Sequence, residues 1–348
     1  MKASWLVPQL VEHGAALLGT AMLINAAVTL LAALGIAMLA ARAAGSARLA
    51  KFILLAPWLR VCWDVLRGAA PDAYVLSEHA GTKGALGSFK VGFGARIVPV
   101  VEAHVGMQGG THWYGYSVGD MLAHGAFRIV GAPAMLAVLA AVLLGGVVLL
   151  GRRARVYLQW RTRLRHAEAN ARGVEVRRLG WRSVRIITLG SDDFGPCTSG
   201  LLRPCVWLPS HLDEPRRRAV LEHELGHARD GDVLWFGLAG VLSDIFWFVP
   251  GVRWLERQLC DRAEEAADAS AVARGVSARL LAQSILEHAA RGSVHLQPGL
   301  GGAAARIEGR LLALARPIRR KRWQTALRIA GALALTLSVF MSSFGGHF

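Results

Sequence analysis

The chain has 348 residues, of which 53% are hydrophobic and only 18% charged, and its mean hydropathy is +0.37. That is too apolar for an ordinary soluble domain and points to membrane spans. The formal net charge of +16 would suit a nucleic-acid binder, but the basic residues cluster beside apolar segments and no basic-aromatic binding motif occurs, so no nucleic-acid partner is expected and the cations are read as setting membrane topology and touching anionic lipid.

Residues 15–41 form an apolar run long enough to span a bilayer. Only Lys2 precedes it, whereas Arg42, Arg48 and Lys51 follow, the reverse of a signal peptide. It is read as a first span whose carboxyl end is cytoplasmic. The next strong span, 129–150, also ends on basic residues, Arg152, Arg153 and Arg155 among them. The chain must cross back between the two, and 52–66 is the best place, although Pro57, Arg60 and Asp64 interrupt it. That puts 67–128 outside, as a connector with strands at 96–105 and 111–117 around a Gly109-Gly110 turn. His79, His104, His112 and His124 lie in this region with no metal-ligand spacing.

From Gly151 the chain turns hydrophilic. A basic helix is predicted at 153–170, then strands at 174–178, 183–189 and 204–208. The segment 197–208 is the expected lip of a cleft, where an edge strand would pair with an extended peptide. Cys62, Cys197, Cys205 and Cys260 form no Cys-x-x-Cys pair, which argues against a structural zinc site. A reducing compartment is expected for them.

The most informative stretch is Leu221-Glu222-His223-Glu224-Leu225-Gly226-His227. Asp213 can cap a helix there and Pro215 is tolerated in its first turn. Residues four apart share a helical face, so His223 and His227 can present both imidazoles to one ion. Glu224 sits one step round, where a general base takes a proton from water. Two histidines do not complete a zinc site. The helix predicted at 252–274 offers Glu264 as third ligand, with Glu265 as its immediate rival. Asp268, one turn on, could accept a hydrogen bond from a ligand histidine and fix its tautomer, and Asp232 is a second carboxylate placed for that role. Asp232 also reads as the cap of an apolar helix, 233–249. Glu264 must reach the same ion as His223, and 252–274 is too charged to cross back. So 233–249 is expected to be re-entrant, interfacial or buried rather than a complete crossing.

His223-Glu224-Leu225-Gly226-His227-Ala228-Arg229-Asp230-Gly231-Asp232, followed by Glu264-Glu265-Ala266-Ala267-Asp268, resembles the gluzincin core of membrane metallopeptidases. Upstream, Ser199-Gly200-Leu201-Leu202-Arg203-Pro204-Cys205-Val206-Trp207-Leu208-Pro209 resembles the strand segment of the BlaR/MecR-type family. The resemblance implies a zinc endopeptidase, with Zn2+ on His223, His227 and Glu264, acting on a protein at the cytoplasmic side of the bacterial inner membrane. A cytosolic repressor or self-cleavage is the substrate class it suggests. Relatives often carry Cys where this chain has Ala267, and Tyr early in the following helix, where the best match here is Leu281. The second departure leaves no candidate for the group that stabilises the oxyanion.

Helices are further predicted at 278–291 and 303–315. The Arg316 to Arg322 cluster marks the cytoplasmic face again, and a last apolar run, 325–343, crosses outward. Only Phe-Gly-Gly-His-Phe follows it, so no appended extracellular sensor domain is expected. The expected fold class is therefore α+β: a multi-span helical membrane protein with two spans in 1–66, the loop 67–128 outside, one span at 129–150, a cytoplasmic zinc metallopeptidase domain over 151–323 and a final span in 324–348. Two rival functions remain open, a catalytically silent signalling or scaffold protein and an HtpX/Ste-type quality-control protease. A transporter accessory would need polar residues facing each other within the spans, and apart from Arg60 and Asp64 the spans show almost none.

Overall fold

The computed structural model describes residues 6–68, 73–75, 87–89, 101–107, 110–116, 118–180, 182–190, 195–290, 303–315 and 322–341. The first apolar run forms α1 (Leu6–Ala43). The second lies in α4 (Val118–Ala169), which joins the expected span and the expected basic helix into one element because no proline or turn signal separates them. Its one irregularity is Gly131 (φ 74°, ψ 171°), a backbone state open to glycine, two residues before Pro133. Among the described residues two helices are long and apolar enough to cross a membrane, over Ala26–Ala43 and Gly125–Ala169. The last helix, α10 (Arg322–Met341), carries a shorter apolar run, Ala326–Leu337.

The stretch 52–66 is divided. α2 (Ala47–Ile53), whose Ser46 cap accepts from Leu49 N at 3.2 Å, stops at Leu54, and α3 (Ala56–Gly68) starts afresh. At about 1.5 Å per residue α3 is roughly 20 Å long, short for a bilayer. Leu54, Trp58 and Val61 turn inward and share a core with α1, α6 (Asp232–Ile245) and α7 (Val252–Ala273). In the loop region β1 (Ala73–Val75) pairs with β2 (Gly87–Phe89), a pair with no clear sequence signal, and β3 (Val101–Met107) pairs with β4 (Gly110–Tyr116). His79, the side chains of His104, His112 and His124, the basic cluster at 316–321 and residues 342–348 lie outside the described residues.

The sheet that carries the site has the order β5 (Ala171–Leu179), β6 (Arg182–Leu189), β8 (Cys205–Leu208), β7 (Cys197–Ser199), with β6 and β8 parallel and the other pairs antiparallel. α5 (Glu214–Asp230) lies on it. Val220, Leu221, Leu225 and Ala228 meet Val184, Ile186, Val206 and Leu208. Asp213 caps α5, its carboxylate accepting from Arg216 N at 3.0 Å, and Gly231 (φ 69°) ends it. Every residue from Ala219 to Ala228 is buried, so the polar groups in that stretch have given up water and need partners.

α7 crosses α5 at Gly226. A Cβ there would stand 3.1 Å from Ala267 Cα and 3.3 Å from Ala267 Cβ, so two small residues let the backbones close up. That approach brings the carboxylates of α7 to the imidazoles of α5. Gly226→Val is expected to overpack the crossing, to cost about 1–3 kcal/mol and to lower metal content. Thermal unfolding and metal analysis check this, and wild-type values for both would show that the crossing has slack.

α6 has 14 residues, about 21 Å by helical rise, and packs one face against α3 and α7 while Leu234, Val241 and Ile245 stay exposed. Its buried Asp244 is satisfied by Arg153 from α4 and Arg253 from α7. Asp232 is not its cap. The N-cap residue is Gly231, and the Asp232 carboxylate is drawn elsewhere by a lysine and a histidine. α8 (Ala278–Ala290) and α9 (Ala303–Ala315) close the bundle, Leu281 and Ile285 packing with Ile307 and Leu314.

Candidate metal centre

His223 and His227 sit on the buried face of α5 with their rings edge to face and Nε2 atoms 3.2 Å apart. From α7, Glu264 places Oε2 3.4 Å from His223 Nε2 and Oε1 3.6 Å from His227 Nε2. The three side chains offer ligand atoms within 4.8 Å of one another. Glu265, the rival, turns away to Arg262 at 2.7 Å. Glu222, also buried, faces Arg177, Arg229 and Arg274.

The far nitrogen of each ring meets a carboxylate. His227 Nδ1 lies 2.7 Å from Asp232 Oδ2. His223 Nδ1 lies 2.8 Å from Asp268 Oδ1, close enough for a strong charge contact although it forms no aligned hydrogen bond. Both contacts aim Nε2 at the shared centre. Asp268 is in turn held by Arg310 of α9, whose Nε and Nη2 each donate at 2.8 Å, while Nη1 stands 2.9 Å from Glu264 Oε2. Sequence reasoning missed Arg310. It has no spacing relative to the histidines, and only the packing of α9 on α7 brings it in.

Glu224 points towards the sheet. Thr198 Oγ1 of β7 lies 2.7 Å from Glu224 Oε2 and 3.0 Å from Glu224 O, and its single proton serves one at a time. Of the segment expected as a lip, Thr198, Gly200, Leu201 and Pro204 line a small crevice shared with His227, Ala228 and Gly231. β7 is the end strand of the sheet, so its outer edge has no strand partner among the described residues. Burial, with the charge of Glu224 adding to it, pushes the Cys197 thiol well up, so in the metal-free protein it is a neutral thiol at neutral pH. Leu281 lies in the core beneath α5, so the position where relatives carry Tyr supplies no polar group here.

The electrostatics ask for a cation. Glu224, Glu264, Asp268 and Asp232 carry four formal negative charges against two positive ones on Arg310 and Lys51, which leaves minus two when both imidazoles are neutral. Burial opposes charge on His223, yet contact with Asp268 and Glu264 outweighs it and pushes its pKa up to about 10. His227 is raised against the same burial penalty by Asp232 and by the charge of Glu264. Burial would raise Glu264, but Arg310 and the two histidines hold it well below the ordinary carboxylate range. Two imidazole nitrogens and a carboxylate in a pocket short of two positive charges fit a divalent ion of the zinc type.

A pH dependence follows. The folded pKa of His223 lies above its ordinary 6.5, so its proton stabilises the metal-free protein fully below about pH 6.5 and less as pH rises through about 10. A metal ion must displace that proton. Metal affinity is expected to climb about tenfold per pH unit for each proton released in that window. Calorimetry at neutral pH in buffers of different ionisation enthalpy counts the released protons, and a count of zero would contradict the raised value.

The profile of the family described as BlaR1 peptidase M56 matches residues 20–314, which takes in α5, α7 and all but the last turn-residue of α9. Among curated proteins none matches the chain.

Proposed function

The chain belongs to the BlaR1 peptidase M56 family, and from that premise we propose that it is an integral membrane zinc endopeptidase cutting a cytosolic or membrane-proximal protein. The observation that carries this reading is the convergence of His223, His227 and Glu264 beside a general base that is tied to an edge strand. His223, His227 and Glu264 hold the ion, and Asp268 and Asp232 keep the two rings turned towards it. When bound, zinc supplies Lewis-acid polarisation of the scissile carbonyl and lowers the pKa of water at the site towards about 7. Glu224 accepts a proton from the attacking water and passes it to the leaving amine. Thr198 orients that carboxylate, and the outer edge of β7 offers backbone groups to an extended substrate.

The two helices able to cross a membrane support a membrane location. We read α3, which is short enough to need a locally thinned bilayer, and α10 as further crossings and the sheet with α5 to α9 as facing the cytoplasm of a bacterial cell, because Arg152, Arg153 and Arg155 follow the second strong span. A repressor or the chain's own cytosolic segment is the substrate class the sequence resemblance offers. The test compares cells carrying the wild-type chain with cells carrying His223→Ala, by mass spectrometry of newly formed protein N-termini and by zinc content of the purified protein. One zinc per chain and a set of cleavages seen only with the wild type are expected. Zinc without any such cleavage would leave a silent scaffold, and no zinc would remove the enzyme.

A further inference from the structure

A short helix sets a buried lysine, with an exposed arginine at its side, against the turn at the end of α5. α2 presents Arg48 and Lys51 one turn apart. Arg48 is exposed and pairs with Asp230 at 2.7 Å. Lys51 has 0% of its surface exposed and stands 2.7 Å from Asp230 Oδ2 and 2.6 Å from Asp232 Oδ1. A lysine is almost never so buried unless its ammonium is closely paired. The other oxygen of the same Asp232 carboxylate, Oδ2, is the one 2.7 Å from His227 Nδ1. Asp232 is therefore shared, one oxygen taking the ammonium and the other fixing the imidazole. The group on Nδ1 decides which ring nitrogen carries the proton and where Nε2 points.

α2 is itself held by the apolar helices. Ala50 and Ile53 pack with Ala37 and Ala40 of α1 and with Ala332 of α10. Lys51 thus reaches the site from outside the sheet and the helices α5 to α9. We propose that Lys51 is a positioning residue of the metal centre: through Asp232 it sets the orientation of His227, so the ligand set is complete only while α2 is docked between the apolar helices and the turn after α5. This rests on the reading of His223, His227 and Glu264 as metal ligands. It makes a mechanical link from the N-terminal helices to the ion. Moving α2 off the turn withdraws the ammonium from Asp232 and loosens His227.

The experiment uses the full chain in lipid nanodiscs, with zinc affinity measured against a chromophoric chelator and the visible spectrum recorded after cobalt substitution. Lys51→Met is expected to weaken zinc by about 10–100-fold and to alter the cobalt bands with helical content unchanged. Lys51→Gln, which can still donate to Asp232, should fall between it and the wild type, and it carries the comparison if the Met variant does not fold. Arg48→Met removes the exposed ion pair alone and should bind zinc as the wild type does. In an Asp232→Asn background the Lys51 substitution should add little, since both act along one path. Unchanged affinity and cobalt bands in a folded Lys51 variant, or effects of Lys51 and Asp232 that simply add, overturn the proposal. A wild-type chain that binds no zinc, or binds it undiminished after His223→Ala, defeats the metal-site reading instead.

Discussion

Glu224→Gln is expected to keep one zinc per chain and to lose peptide cleavage by about two to four orders of magnitude, the usual contribution of a positioned general base. The substitution is isosteric. The amide oxygen of Gln can still accept from Thr198, so the anchor to β7 survives. None of the three ligand side chains is touched. What disappears is the carboxylate that accepts a proton from water. Measuring zinc content and single-turnover cleavage on the same preparation separates the two roles. Zinc retained together with wild-type cleavage would move the base to another residue. Loss of zinc would mean that Glu224 belongs to the ligand set. Thr198→Val is the milder companion: it removes only the orienting hydroxyl, so cleavage should fall by less than in the Glu224 variant.

What could be read from the sequence was whatever repeats within a helical turn. His223 and His227 are four apart, as are Glu264 and Asp268, and α5 and α7 bring these pairs face to face. Local pattern also marked the cap at Asp213 and the strands β5, β6 and β8, but it put the cap of α6 on Asp232 where the structure has Gly231. It could not show Arg310, whose partner Asp268 is 42 positions away, or Lys51, whose partner Asp232 is 181 away. Contacts of that range leave no periodicity. They are fixed by how whole helices pack, and both residues read in sequence as ordinary basic side chains. The division of 52–66 into α2 and α3 was hidden for a related reason. Hydropathy sees apolar residues there, yet Leu54, Trp58 and Val61 spend that apolarity on a protein core rather than on lipid. Asp244 is a carboxylate in an apolar helix, and no local pattern could show that Arg153 and Arg253 reach it from α4 and α7.

Arg310→Met should be the most damaging single change to the metal-free protein. The guanidinium donates twice to Asp268 and faces Glu264, and only 18% of its side chain is exposed. Removing it leaves the buried Asp268 and the half-buried Glu264 beside Glu224 and Asp232 with one cation fewer, and breaking the buried pair to Asp268 from one side costs about 3–5 kcal/mol. The loss should depend on pH with a definite sign. Burial works to raise Glu264 and Asp268, but Arg310 and His223 depress both below their ordinary values of 4.5 and 3.8. The stability tied to that depression is therefore complete above about pH 5 and shrinks as pH falls through the folded values. The gap between wild type and Arg310→Met should be full at neutral pH and should narrow in acid. Arg310→Lys keeps the charge but not the two parallel bonds, so it should recover only part of the gap. Chemical unfolding of the chelator-treated protein at pH 7 and pH 4 measures both points, and equal midpoints for wild type and Arg310→Met at pH 7 would mean that α9 closes the site without holding it together.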